Sequence, residues 1–212
     1  MKKIIVLALL IFTGMAIIAN AAPDTNLTPL GPKEQLQQTV EAVLTILRSG
    51  SADEEAKKQK ISELVRNRFD YQIMSQGVLG RRWRATDANE RSEFVDLFTQ
   101  LLEETYIGRI RTYKGQEVVY SDAKIRKNRA EVDTVVRDNG VDIPITYKLI
   151  FRKQKWVVYD VVIENVSLIR NYRSSYNDIL RKKGMASLLE QMTEKIKTLK
   201  ASQGQTQKQV SA

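Results

Sequence analysis

The chain has 212 residues, with 34 Lys and Arg against 25 Asp and Glu for a net charge of +9, and it contains neither cysteine nor histidine. Those two absences exclude a disulfide framework, a thiolate nucleophile, a Ser-His-Asp triad and an ordinary zinc site. There is also no G-x-G-x-x-G and no G-x-x-x-x-G-K-[ST], so a dinucleotide or nucleotide phosphate loop has no support.

Met1-Lys2-Lys3 forms a short positive n-region, Ile4 to Ile18 is an almost unbroken apolar run, and Ala19-Asn20-Ala21 offers small residues in an A-x-A pattern. The pattern predicts a secretory signal over 1–21 that is removed on export. The run is shorter than the roughly 20 apolar residues a spanning helix needs, and no cysteine is available for lipid attachment. Lys2 and Lys3 leave with the signal, which lowers the net charge from +9 to +7. A basic exported surface fits anionic headgroups or an acidic protein, and export leaves no role for nucleic acid. The mature chain of about 190 residues is long enough for one domain held by its own core.

Residues 22–32 read as a Pro-rich flexible lead-in, with Pro32 suited to the first position of a helix. Leu36, Val40, Val43, Leu44 and Leu47 then recur at helical spacing up to Gly50. Ser51-Ala52-Asp53-Glu54 reads as a capping box for a second helix with Ile61, Leu64, Val65 and Phe69 on its apolar stripe. A short irregular or helical stretch follows from Asp70 to Gly80. The clearest helix is predicted from Thr86, as N-cap, through Phe94, Leu97, Phe98, Leu101, Leu102, Thr105, Tyr106, Arg109 and Ile110 to Tyr113. Glu93, Asp96, Glu103 and Glu104 are expected on its opposite, solvated side.

Beyond Gly115 the period changes to two. Strands are expected over Glu117–Ser121, Ala130–Arg137, Ile143–Phe151 and Trp156–Ile163, the last apolar on both faces. Asp138-Asn139-Gly140 and Lys153-Gln154-Lys155 mark the turns, and Pro144 is expected at an edge or a bulge. Two helical stretches, Leu168–Leu180 and Leu188–Leu199, flank Gly184, and the polar residues 201–212 have the composition of a disordered tail. The predicted fold is α+β: a curved four-stranded antiparallel sheet wrapped by N-terminal, central and C-terminal helices, enclosing an apolar pocket, in a single domain over 33–200. With no heptad seam, a monomer is expected.

Two carboxylate pairs are candidates for acid-base work, Asp160 with Glu164 and the adjacent Glu103-Glu104. A structural role at the sheet edge is the favoured reading for the first and a solvated helix face for the second. Two stretches are more specific than a generic core. One runs Phe69-Asp70-Tyr71-x-x-Met74-Ser75-x-x-Val78-Leu79-Gly80-x-x-Trp83-Arg84-Ala85-Thr86, and leads to Arg91-x-x-Phe94 and Thr105-Tyr106. The other is Trp156-x-x-Tyr159-Asp160-Val161-x-x-Glu164-Asn165-Val166-Ser167-Leu168, followed by Asn171-Tyr172-Arg173 and Gly184. In this order, from about residue 33 to 200, they resemble the MlaC family of periplasmic phospholipid-binding proteins, also called toluene-tolerance or organic-solvent-resistance auxiliary proteins. One departure is Asn165, where that family commonly has Gly. Asn is the next residue most willing to adopt a left-handed backbone, so the turn can still form.

The resemblance implies a periplasmic carrier, without cofactor, catalytic residue or metal. Such a carrier holds the acyl chains of a phospholipid and moves it between an outer-membrane lipoprotein complex and an inner-membrane ABC transporter. Assigned by face, the expected lining is Val132, Ile145, Tyr147, Leu149, Val161 and Ile163 from the sheet. The helices would add Val78, Leu79, Leu102, Tyr106 and Ile110, with Val166 and Ile169 near the far end. Arg170 and Arg173 are weak candidates for the headgroup. Two other readings stay open: a periplasmic docking domain without a lipid, and an Asp/Tyr proton-transfer enzyme on a cone-shaped sheet.

Overall fold

The computed structural model describes residues 30–49, 53–110, 116–138 and 140–210. The expected secretory signal and almost all of the lead-in lie outside these residues, as do Ser51 and Tyr113. Among the described residues the chain is α+β, with six α-helices and a curved, unclosed antiparallel sheet. No helix among them is long and apolar enough to cross a membrane.

Helix α1 (Pro32–Arg48) begins with Pro at its first turn, where a missing N–H costs no hydrogen bond. Helix α2 (Glu54–Arg68) is capped by Asp53, whose carboxylate accepts from the Ala56 N–H. Helix α3 (Tyr71–Leu79) is capped in the same way by Asp70, which accepts from Ile73 N–H and also from Arg152 across on the sheet. Gly80 ends α3 at φ 57°, and Gly80–Arg84 adds a short 3₁₀ stretch. The long helix α4 (Ala88–Ile110) is capped one residue later than expected. Asp87 accepts from Glu90 N–H, whereas the Thr86 hydroxyl turns back to the Arg82 carbonyl.

The sheet has six strands rather than four: β1 (Glu117–Tyr120), β2 (Lys124–Arg126), β3 (Arg129–Asp138), β4 (Val141–Arg152), β5 (Lys155–Ile163) and β6 (Val166–Ser167). Their order is β1-β3-β4-β5-β6, with β2 also on the β3 edge. The two strands absent from the sequence reading carry no alternation to detect, since β2 is exposed throughout and β6 is two residues long. Pro144 sits opposite Val135 on β3 and one residue past Ile145↔Ile163, the last pairing of β4 with β5. Its carbonyl still accepts from the Glu164 N–H at 3.0 Å, so it marks the end of that pairing rather than an open edge.

A bulge interrupts the β4–β5 register: Lys148 faces Asp160 while Leu149 faces Val158, leaving Tyr159 as the extra residue. The extra residue shifts the parity of β5. Trp156 and Val158 before it, and Val161 and Ile163 after it, therefore all pack in the same cluster. Asp160 goes to the opposite side, where Ser167 Oγ donates to it at 2.8 Å and the Ile169 N–H at 3.2 Å. This carboxylate ties β5 to the first turn of α5 (Leu168–Lys182), whose N-cap is Ser167. Helix α6 (Gly184–Val210) starts at Gly184, φ 80°, and continues through the segment expected as a tail. Extending a formed helix needs no new nucleus, and Gln203 is anchored by donating to the Glu104 carbonyl.

Two hydrophobic clusters result. One is all-helical, built from α3, α4, α5 and α6 around Met74, Phe94, Phe98, Leu188 and Met192. The other joins α1 to the inner face of the sheet through Leu36, Val132, Leu149 and Val158. Phe69, between α2 and α3, packs against both.

Candidate functional site

Between the two clusters the layers do not close, and a cavity of about 520 Å³ remains. Its walls are Val40, Val43, Leu44 and Leu47 of α1, Val65 of α2, Met74 of α3, Leu102 and Tyr106 of α4, and Val118, Val136, Ile143, Ile145, Tyr147, Val161 and Ile163 of the sheet. A void of this size between apolar walls forfeits contacts that a well-packed core would make, so it is a costly feature unless a ligand fills it.

Of the residues expected to line a pocket, Leu102, Tyr106, Ile145, Tyr147, Val161 and Ile163 do so. Val132 and Leu149 point to the same side of the sheet but are wholly buried in its packed end. Val78, Leu79 and Ile169 belong to the helical cluster instead. The reason is that the last turn of α3 faces α4 and α5, against which the helix packs, while Tyr71 and Met74 nearer its start reach the cavity. Val166 is 59 % exposed. The Ile110 side chain lies outside the described residues. Arg170 is exposed on α5. Arg173 is engaged: its Nε and Nη2 both donate to the Gly77 carbonyl, which closes the end of α3.

The α1 wall was visible as a helical stripe, but nothing in its spacing assigned it to a pocket rather than a core. The wall also holds polar residues that the sequence reading did not assign to it: Thr39, Arg68, Tyr71, Glu103 and Gln116. Glu103 is buried and held by Arg66, with Arg66 Nε 2.6 Å from one carboxylate oxygen and Nη2 2.7 Å from the other. Its neighbour Glu104 is also buried and accepts from Lys58 at 3.0 Å. Both were expected on a solvated face, and both are covered because α2 packs along that side of α4. Tyr71, beside the Arg66–Glu103 pair, has its hydroxyl pKa pushed well above the usual tyrosine value, first by burial and then by the Glu103 charge, with Arg66 opposing. Burial alone raises that of Tyr147. Desolvation lowers the pKa of the Arg68 guanidinium.

These groups do not assemble into catalytic geometry. Asp160 and Glu164 are apart, the first buried at the β5–α5 joint and the second exposed in a turn. Tyr71 and Tyr147 have hydroxyl pKa values raised above the usual tyrosine value, so these two stay protonated. No cluster of metal-ligating side chains exists among the described residues. The arrangement can exclude water and accept an apolar body of ligand size, for which volumes of about 300–1,000 Å³ are usual.

The chain is 22% identical over 203 residues to the intermembrane phospholipid transport system binding protein MlaC of Haemophilus influenzae (strain ATCC 51907 / DSM 11121 / KW20 / Rd), covering 91% of this chain and 92% of that protein. Among solved structures, the phospholipid-binding protein of Ralstonia solanacearum, in complex with a phospholipid, superposes with a TM-score of 0.72 at 24% identity. That match covers 80% of this chain and 99% of the other, and it establishes a shared fold. The family model described as MlaC protein matches residues 37–194, and the chain belongs to the MlaC family.

Proposed function

We propose that this protein is a soluble periplasmic carrier that holds the acyl chains of a phospholipid in the cavity between sheet and helices. The observation that carries the reading is the cavity itself: an apolar wall contributed by α1, α2, α3, α4 and the sheet, with packed clusters on both sides of it. Its family relative named for intermembrane phospholipid transport, and the phospholipid-bound neighbour, support the same cargo.

The energetics suit a carrier. Two acyl chains contain on the order of 30 methylenes at about 0.8 kcal/mol each, so a bare phospholipid in water is about 20 kcal/mol or more uphill. An apolar cavity removes that penalty with no chemical step. Transfer from bilayer to cavity exchanges one apolar medium for another, so binding is tight against water and reversible against a membrane. In this reading the protein shuttles lipid between outer-membrane and inner-membrane components of a transport system, in the expected cases a lipoprotein complex and an ABC transporter.

The test is native mass spectrometry of the protein purified without detergent from a Gram-negative periplasm. The expected result is a mass increased by one phospholipid, which extraction then identifies. A bare mass that stays bare after incubation with liposomes would overturn the carrier reading and favour a docking domain.

A further inference from the structure

We infer that Arg68 forms an anion-recognition site at one end of the cavity, selecting acyl amphiphiles that carry an anionic oxygen group. The inference rests on the carrier reading and goes further, because an apolar cavity alone does not distinguish a charged amphiphile from a neutral one.

Arg68 is the last residue of α2 and lines the cavity. Three bonds fix its guanidinium: Nε donates to Thr39 Oγ1 at 2.9 Å, and Nη1 donates to Gln35 Oε1 at 2.8 Å and to the Trp156 carbonyl at 2.6 Å. All three acceptors are neutral, and no carboxylate among the described residues pairs with Arg68. Its neighbour Arg66 two residues earlier does have such a partner in Glu103. The donors of Nη2 have no acceptor among the described residues, and a guanidinium offers five donors in a rigid fork suited to phosphate or carboxylate. A desolvated cation with uncompensated charge is costly in an apolar wall, and an anionic ligand group would offset that cost.

The position fits an amphiphile lying lengthwise. Arg68 is half-buried, at the boundary with water, and it binds the carbonyl at the start of β5. Ile163, at the other end of β5, also lines the cavity, roughly 20 Å away along the strand. An anionic group at Arg68 therefore leaves its chain against the apolar lining that Arg68 shares with Val40, Val65 and Ile163. The shared chemistry is an anionic oxygen on a long acyl or alkyl chain, which a phospholipid phosphate and a fatty carboxylate both supply.

Binding of dodecyl phosphate, dodecanoate and dodecanol to the delipidated protein, by calorimetry, tests this and separates the two sources. Wild type should bind an anionic probe about tenfold or more tighter than dodecanol, since hydrogen bonds to charged groups contribute about 1.5–3 kcal/mol. If phosphate leads, the headgroup is the source; if carboxylate leads, it is a fatty acid. Arg68→Met should abolish the preference of anionic probes over dodecanol, and Arg68→Lys should retain part of it. Equal affinity for all three probes in the wild type overturns the inference without needing any variant, as does a preference that survives in Arg68→Met. Failure of wild type to bind any of them removes the carrier reading itself, and the inference with it.

Discussion

Arg66 grips the buried Glu103 carboxylate with both forks of its guanidinium, at 2.6 and 2.7 Å, while its own side chain remains 55% exposed and that of Glu103 only 8%. The pair is therefore unequal. Without Glu103, Arg66 can turn to water; without Arg66, the Glu103 carboxyl is left with no partner for its two oxygens in a nearly dry wall. Arg66→Ala should cost about 2 kcal/mol and Glu103→Gln about 1 kcal/mol or less, the former discounted for the exposure of Arg66. Urea denaturation of the two variants checks the order, and equal losses would mean that Glu103 is better solvated than its burial implies.

Cavity wall and packed core should respond differently to substitution. Ile145→Trp extends a wall residue into open volume, so the protein should stay within about 1 kcal/mol of wild type yet lose most of its bound lipid. Leu149→Ala, on the same strand and face but fully buried in the packed end, should cost about 3 kcal/mol while leaving the lipid in place. Thermal melts paired with native mass spectra read both effects.

Acid should weaken the sheet edge. Asp133 accepts from Lys124 at 2.8 Å and from Thr146 at 2.6 Å, and these two bonds, in that order, hold its pKa below the ordinary aspartate value. A carboxylate depressed on folding contributes stability that is present above its unfolded pKa and is lost as pH falls through the folded one. Asp133→Asn should thus lower stability modestly at neutral pH and flatten the acid limb of a stability-against-pH curve. The group is largely solvated, so the difference should be at most about 1 kcal/mol. An unchanged acid limb in the variant would show that the pair has no linkage to folding.

The β5–β6 turn uses two non-glycine residues at positive φ, Glu164 at 47° and Asn165 at 67°. Two-residue turns of this type favour Asn-Gly, because a Cβ is strained there at both positions. Glu164→Asn combined with Asn165→Gly should stabilise the protein by about 0.5–1 kcal/mol. A melting temperature that falls would place a side-chain role at Glu164 or Asn165.

Much of the architecture was readable because periodicity reports burial. The α1 and α4 stripes and the alternation of β3 and β4 gave elements close to those observed, and Asn165 takes the left-handed backbone its chemistry allows. The bulge was not readable. A single extra residue at Tyr159 made β5 look apolar on both faces, when its parity changes midway. The α4 cap slipped by one residue because Asp87 competes with adjacent Thr86, and local sequence does not say which oxygen meets the free N–H.

The site was legible by face and illegible by depth. Alternation put Leu149 and Ile145 on one side of the sheet, but only tertiary packing decides that the first is sealed and the second borders a void. The motifs that carry the family resemblance explain the gap. Asp70 caps α3, Arg91 lies 5.6 Å over the Trp83 ring, and Asp160 with Ser167 joins sheet to helix. The most recognisable residues hold the frame, while Arg68 and the α1 wall carry no signature.

Much of the lining, Val43, Leu47, Val65, Val118, Val136 and Ile143 among it, lies outside both hydrophobic clusters. A point change in that lining alters what is carried before it alters whether the chain folds. Preference for a different cargo is thus within reach of single substitutions, and lineages can diverge in their ligands while the scaffold stays recognisable.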